Sequence, residues 1–259
     1  MDNVNQTLYI PLCGKSFVSK KGIILHDAKA EEIWEKEGFP LKGKSRSKWL
    51  AYYMGMRAAV FDRWVLQKLE ERPEAVVLHL GCGMDSRCLR VDAGEHLWYD
   101  VDFPEVIKAR KAYYQETASY KMLAADLRGA DWLGEVPGQS AIVLLEGVSM
   151  YLQRCELTKL LAQLSARFER VSLLMDCYTD FAARASRYKN PINDVGVTQV
   201  YGLDQPKLLE ESGLTFLREH DMTPEELVGQ LTGMEKQIFR KLYAGSIARK
   251  MYRLYEFGK

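Results

Sequence analysis

At 259 residues, with 47% hydrophobic and 27% charged residues, the chain has the composition of a soluble globular protein, long enough for one large domain or a domain with a helical cap. A formal net charge of +1 excludes a general electrostatic pull towards nucleic acid or membrane, and no run approaches the ~20 apolar residues of a membrane span. Cys13, Cys82, Cys88, Cys155 and Cys177 are odd in number and show no C-x-x-C spacing, and the amino terminus lacks a signal-peptide pattern, so a reducing, cytoplasmic location is expected.

The first 25 residues carry little pattern beyond a possible extended piece at Thr7 to Ile10 and a basic segment from Lys15 through Lys20 to Lys21. Asp27 is placed to cap a helix from Ala28 to Lys36, after which Gly38, Pro40 and Gly43 break the chain. Ser47 to Glu71 reads as one long amphipathic helix ending before Pro73, with Trp49, Tyr52, Tyr53, Met56, Val60, Trp64 and Leu66 on its apolar side. Arg57 lies within it. From Val76 strands and helices alternate. Strands are expected at Val76 to Leu80, Leu97 to Val101, Tyr120 to Ala124, Ala141 to Leu145 and Val171 to Met175. Helices are expected from Pro104 to Tyr114 and from Glu156 to Phe168. Tyr178 to Tyr201 is a polar and aromatic connection, a candidate lid. Gln205 to Ser212 and Pro224 to Tyr243 read as helical, Leu214 to Glu219 as extended, and Ala248 to Phe257 as a last strand. Seven strands with intervening helices imply a twisted α/β sheet, in which the direction of the last two strands stays open.

The chemistry concentrates between Val76 and Asp102. The first strand ends at Gly81-Cys82-Gly83, a turn whose backbone can pass close to a ligand. The second strand delivers Asp100 and Asp102 to the sheet edge where ligands bind in open α/β folds, and an acid at this spacing suits a ribose. Acids also follow the other parallel strands: Asp85, Asp126, Glu146 and Asp176. A dinucleotide fold would want a third small residue at Ser86 and no acid at Asp85, which would repel a pyrophosphate. An acid-lined cleft better suits a cofactor with a sulfonium, an amino group and no phosphate, which is S-adenosylmethionine.

Four segments in order, GCGMDSRCLR, DVDFPEV, ADLRGADW and LLEGVSMYL, resemble the leucine carboxyl methyltransferase family, over roughly Lys15 to Phe257. The resemblance implies an α/β class I methyltransferase fold: a Rossmann-like seven-stranded sheet with its last strand antiparallel and helices on both faces. It also implies an N-terminal helical cap (1–72) on a cofactor-binding core (73–259) with the lid at 178–201, all forming a single domain. By motif, Gly81 and Gly83 would pass under the methionine part of S-adenosylmethionine, and Asp102 would bind the ribose. Asp126 and Leu127 would frame the adenine, the carboxylate accepting from its amine. Glu146 would lie below the transfer cleft. Arg57 would pair with the cofactor carboxylate, assisted by a lysine, for which Lys15 is preferred over Lys20 and Lys21. Asp100 stands where glutamate is frequent, with little consequence expected.

Each residue has a plainer alternative. Arg57 could be a solvated helix residue, and Glu146 a satisfied structural carboxylate. His79 reads as core, and His96 and His220 as strand-edge surface. Catalytic candidates are weak: His26, Tyr151 and Tyr178, with Tyr188 and Tyr201 as further wall residues or plain aromatic packing. A carboxylate acceptor is ionised at neutral pH and needs no base, whereas a phenol does. With no histidine–acid pair in view, the expectation is an O-methyltransferase acting on a carboxylate or acidic hydroxyl of a small, polyketide-like molecule. Alternatives are methylation of a protein C-terminal carboxylate and a non-catalytic cofactor-binding protein. The segment after the fourth strand, Glu146-Gly-Val-Ser-Met-Tyr151, lacks the Asn/Asp-Pro-Pro-aromatic run of base methylation. No metal, nucleic-acid or membrane partner is expected.

Overall fold

Val76, Leu78 and Leu80 pack on one side of the first strand and Val77 on the other, so β1 (Val76–Leu80) is buried throughout because both faces are covered. The computed structural model describes residues 8–38, 41, 43–186 and 199–259. Six further strands join β1: β2 (Trp98–Asp102), β3 (Tyr120–Ala124), β4 (Ser140–Leu145), β5 (Arg170–Tyr178), β6 (Thr215–His220) and β7 (Tyr252–Gly258). Their order is β3-β2-β1-β4-β5-β7-β6, with β1 to β5 parallel and β7 antiparallel to both neighbours. Chain order reverses between β1 and β4, which opens a crevice at their carboxyl ends.

One face is covered by α1 (Tyr9–Lys20), α2 (Ala28–Glu37) and α3 (Lys48–Glu71), and the other by α6 (Arg154–Arg167). Between these lie α4 (Arg87–Arg90) and α5 (Pro104–Arg110); later come α7 (Asp180–Ser186), α8 (Glu225–Val228), α9 (Gly233–Leu242) and α10 (Ser246–Arg249). Asp27 caps α2 as expected, its side chain accepting from Ala30 N at 2.8 Å. Among the described residues no helix is long and apolar enough to cross a membrane.

Several expectations are corrected. Tyr9 and Ile10 begin a helix rather than an extended piece, one buried on several sides, with Ile10, Leu12, Lys15, Ser16 and Val18 all covered. The single helix expected over Pro224 to Tyr243 is two, broken before Gly233, which sits at φ +54°. Ala248 lies in α10, and β7 begins only at Tyr252. Pro206–Ser212 is helical as expected, wound as a 3-10 helix. β5 continues past Met175 to Tyr178, so Asp176 is inside the strand. Of the lid at 178–201, Tyr178 ends β5 and α7 follows, while 187–198, with Tyr188, lie outside the described residues.

Candidate active site

The carboxyl ends of β1, β2 and β4 open into a cavity of about 1000 Å³. Its floor is the turn after β1, where Gly81 (φ +67°) and Gly83 (φ +51°) occupy the left-handed region. The turn is tied to β2 by Gly81 N donating to Val101 O and Gly83 N donating to Asp102 Oδ2, both at 2.7 Å. The other Asp102 oxygen accepts from Phe103 N at 2.8 Å. Burial pushes the Asp102 carboxyl up from its ordinary value, against those two amides. Each oxygen keeps a lone pair for a ligand hydroxyl.

Below the turn lies a buried ionic network. Glu146 accepts from Arg57 Nε at 3.1 Å and from Arg87 Nη2 at 2.5 Å. Arg57 Nη1 also bonds Asp176 Oδ2 at 2.8 Å, and Gly147 N donates to Asp176 Oδ1 at 2.6 Å. Burial alone would raise the Glu146 carboxyl, but the Arg87 and Arg57 guanidiniums outweigh it and bring it down to about 2. Glu146 is thus a satisfied carboxylate on the cavity wall. Arg57 is buried rather than solvated, and its Nη2 bonds no described residue although the side chain lines the cavity. A guanidinium on the cavity wall with such a donor left over fits a ligand carboxylate.

Lys15 reaches the same wall from α1 and pairs with Asp85 at 2.9 Å. Lys20 pairs with Glu35 and Lys21 with Glu235, both away from the cavity. Asp85 also meets Arg87 at 3.3 Å and Arg90 at 3.1 Å. Burial opposes its charge, yet Arg87, Lys15 and Arg90 hold its carboxyl well below the ordinary value. Asp85 therefore presents no uncompensated charge, and repulsion there does not by itself exclude a pyrophosphate.

Asp126 and Leu127 also line the cavity, Leu127 buried and Asp126 exposed. Both Asp126 oxygens are engaged by Arg128 Nε, at 2.9 and 3.0 Å. Tyr151 and Tyr178 are on the wall, with the Tyr178 ring edge-on to Tyr252 at 4.5 Å. His26 is not brought to the site. Its neighbour Asp27 turns inward to Ser86 and Arg90, which leaves His26 exposed beside Ser19. Tyr201 lies outside the cavity wall, while its backbone N donates to Met150 O. His79 is core, as expected, but spans Asp100 (Nδ1, 3.1 Å) and Arg87 (Nε2, 3.3 Å) along the cavity floor.

Asp100 lies behind the glycine turn as the centre of a buried hydrogen-bonded cluster. Fully buried, it accepts from Arg110, from Trp98 Nε1 at 2.9 Å and from Tyr120 Oη at 2.6 Å. Burial opposes its charge, but Arg110 and His79 draw its carboxyl down to about 2. Arg110 Nη1 donates in turn to Gly83 O at 3.0 Å, so this hub holds the glycine turn from behind. Sequence reasoning missed Arg87, Arg90, Arg110 and Asp62 as site-building residues. The available signal was Arg87 and Arg90, one helical turn apart directly after the glycines, where both now clasp Asp62.

A family model described as leucine carboxyl methyltransferase matches residues 5–165. The chain is 28% identical over 243 residues to the tetracenomycin polyketide synthesis O-methyltransferase TcmP of Streptomyces glaucescens, covering 92% of this chain and 90% of that protein. It is 32% identical over 183 residues to the S-adenosyl-L-methionine-dependent methyltransferase dpfgK of Gibberella zeae, covering 64% of this chain and 61% of that protein. In fold it is similar to a putative methyltransferase from Thermobifida fusca YX, with a TM-score of 0.61 at 13% identity, covering 95% of this chain and 93% of the other. Fold, glycine turn and the family match over 5–165 agree: the chain belongs to the leucine carboxyl methyltransferase family.

Proposed function

We propose that this S-adenosylmethionine-dependent methyltransferase methylates an anionic oxygen, a carboxylate or acidic hydroxyl, on a small and largely apolar molecule. One observation carries the reading: the carboxylates and the histidine on the cavity floor are already engaged. His79 has both ring nitrogens occupied, Asp85 and Glu146 are clasped by cations, and Asp102 holds two turn amides. Burial holds the Tyr53 and Tyr252 hydroxyls protonated well above the usual phenol range. An acceptor that arrives as an anion needs none of them as a base. The relative TcmP is by name a polyketide O-methyltransferase, which supports the same chemistry here.

S-adenosylmethionine supplies an electrophilic methyl carbon whose bond to sulfur breaks as the acceptor oxygen attacks, the electron pair staying on sulfur. The chain supplies position. In this reading Arg57 and Lys15 hold the cofactor carboxylate, Gly81 and Gly83 admit the methionine chain, and Asp102 takes the ribose hydroxyls. Leu127 and Asp126 bound the adenine. Glu146 fixes Arg57 from below and so orients its free nitrogen. Apolar walls keep water from the aligned oxygen, and alignment supplies much of the acceleration.

The test is incubation with methyl-labelled S-adenosylmethionine and, in separate arms, 2-naphthoate, 3-hydroxy-2-naphthoate, 2-naphthylamine and 2-naphthalenethiol. Base-labile label marks a methyl ester and base-stable label on oxygen an aryl ether. Label appearing on nitrogen or sulfur acceptors, with none on oxygen, would overturn the proposal.

A further inference from the structure

The cavity extends well beyond the residues assigned to the cofactor. Its outer half is walled by Trp49 and Tyr53 of α3, Tyr178 at the end of β5, Tyr243 and Met251 between α9 and β7, and Tyr252 at the start of β7. None of these side chains carries a formal charge at neutral pH. The rings form two tiers. Deep in the cavity, Tyr252 meets Tyr178 edge-on at 4.5 Å and Tyr53 at 5.7 Å. At the mouth, Trp49 and Tyr243 lie nearly parallel, 11° apart with centroids at 5.4 Å, and Tyr243 stacks on Phe239 behind it.

This mouth is joined to the N-terminal helices by side-chain contacts. Glu235, in the first turn of α9, accepts from Lys48 at 2.8 Å, Lys21 at 3.3 Å and Tyr52, joining α9 to the N-terminal helices. Yet Leu242, Tyr243, Ile247 and Met251 remain 36–51% exposed while lining the cavity. An apolar rim of this kind, continuous with a deep pocket, marks a surface that a ligand covers.

We propose that this outer half is the acceptor subsite and that Trp49 and Tyr243 are specificity-determining residues, their mutually stacked rings presenting a rigid apolar wall whose edges select a flat aromatic acceptor. The proposal rests on the methyl-transfer reading above only in taking this half of the cavity as the acceptor side. A planar ring system can lie against the edges of a preformed aromatic wall with little loss of freedom, whereas a flexible chain of similar size gives up many rotamers to fill the same space.

The experiment titrates 2-naphthoate and decanoate, a flat and a flexible acid, into the protein saturated with S-adenosylhomocysteine, by calorimetry. The wild type should bind 2-naphthoate more tightly than decanoate. Trp49→Leu and Tyr243→Leu should each weaken 2-naphthoate by about tenfold, with decanoate nearly unchanged and Tyr243→Phe like wild type. S-adenosylhomocysteine affinity, measured on every variant, should stay constant and reports an intact fold. Equal loss of both acids in the Leu variants, unchanged 2-naphthoate binding, or no wild-type preference would overturn the proposal. Methyl transfer to nitrogen or sulfur alone would sink the oxygen reading and leave this selectivity standing, so the two failures are distinguishable.

Discussion

Gly81 combines a left-handed backbone, φ +67°, with a Cα hydrogen that faces Val148; an added Cβ would run into Val148 Cγ2. Gly81→Ala should therefore lose about 1–3 kcal/mol to backbone strain alone, and pairing it with Val148→Ala should recover only the steric part. Denaturant unfolding of the single and double variants separates the two. Asp102 holds the turn and, in the proposed reading, also the ribose. Asp102→Ala should weaken S-adenosylhomocysteine binding by about 1–3 kcal/mol, because hydroxyls that it accepts from lose a buried bond. Calorimetric affinity equal to wild type would mean that the ribose is held elsewhere. These residues were legible in the sequence because glycine and aspartate at strand ends have few other purposes. Arg57 was legible only through the family resemblance, since an arginine in a long helix looks the same buried or solvated.

At the scale of elements, α1 matters because it carries Lys15 to the cavity, and two glycines set how closely it lies on α3. A Cβ on Gly14 would come to 2.8 Å from Met54 Cβ, and one on Gly55 to 2.8 Å from Val18 Cγ2. Gly55→Val should force the helices apart at a cost of about 1–3 kcal/mol. It should also move Lys15 and weaken S-adenosylhomocysteine, which thermal unfolding with and without the ligand reads directly. An unchanged ligand-induced shift would show that Lys15 contributes little to binding. The helical nature of Tyr9–Lys20 was not legible, because its basic and polar residues, Lys15, Ser16 and Ser19 among them, are buried by partners distant in sequence. The β1 to β5 alternation was legible because short apolar runs bounded by glycine, proline and acids leave few choices.

For the whole molecule, the buried ion network couples the cap helices to the sheet: Arg57 of α3 to Glu146 and Asp176, and Asp62 of α3 to Arg87 and Arg90. Its dependence on pH has a definite sign. The Glu146 carboxyl is drawn down to about 2 from 4.5, so its contribution to stability is present above pH 4.5 and is lost as pH falls towards 2. Unfolding free energy measured across that window should fall with acid. In Glu146→Gln the slope should be shallower by at most about 1.4 kcal/mol per pH unit, one proton's worth. An unchanged slope would place the acid sensitivity in other carboxylates, Asp100 and Asp85 first.

The sequence by itself determined the alternation of strands and helices, the glycine turn, the placing of Asp102 at the end of β2 and the family, because these depend on local pattern and on motifs a few residues long. Tertiary structure alone decided what the charges do. Asp85 is neutralised by Lys15, Arg87 and Arg90, Asp100 anchors the turn through Arg110, and His26 faces away from the cavity. It also decided the outer wall, where Trp49 and Tyr243, nearly two hundred positions apart, lie face to face. Such pairings arise where burial makes an unpartnered charge or an uncovered ring costly, and no local pattern records which distant residue removes that cost.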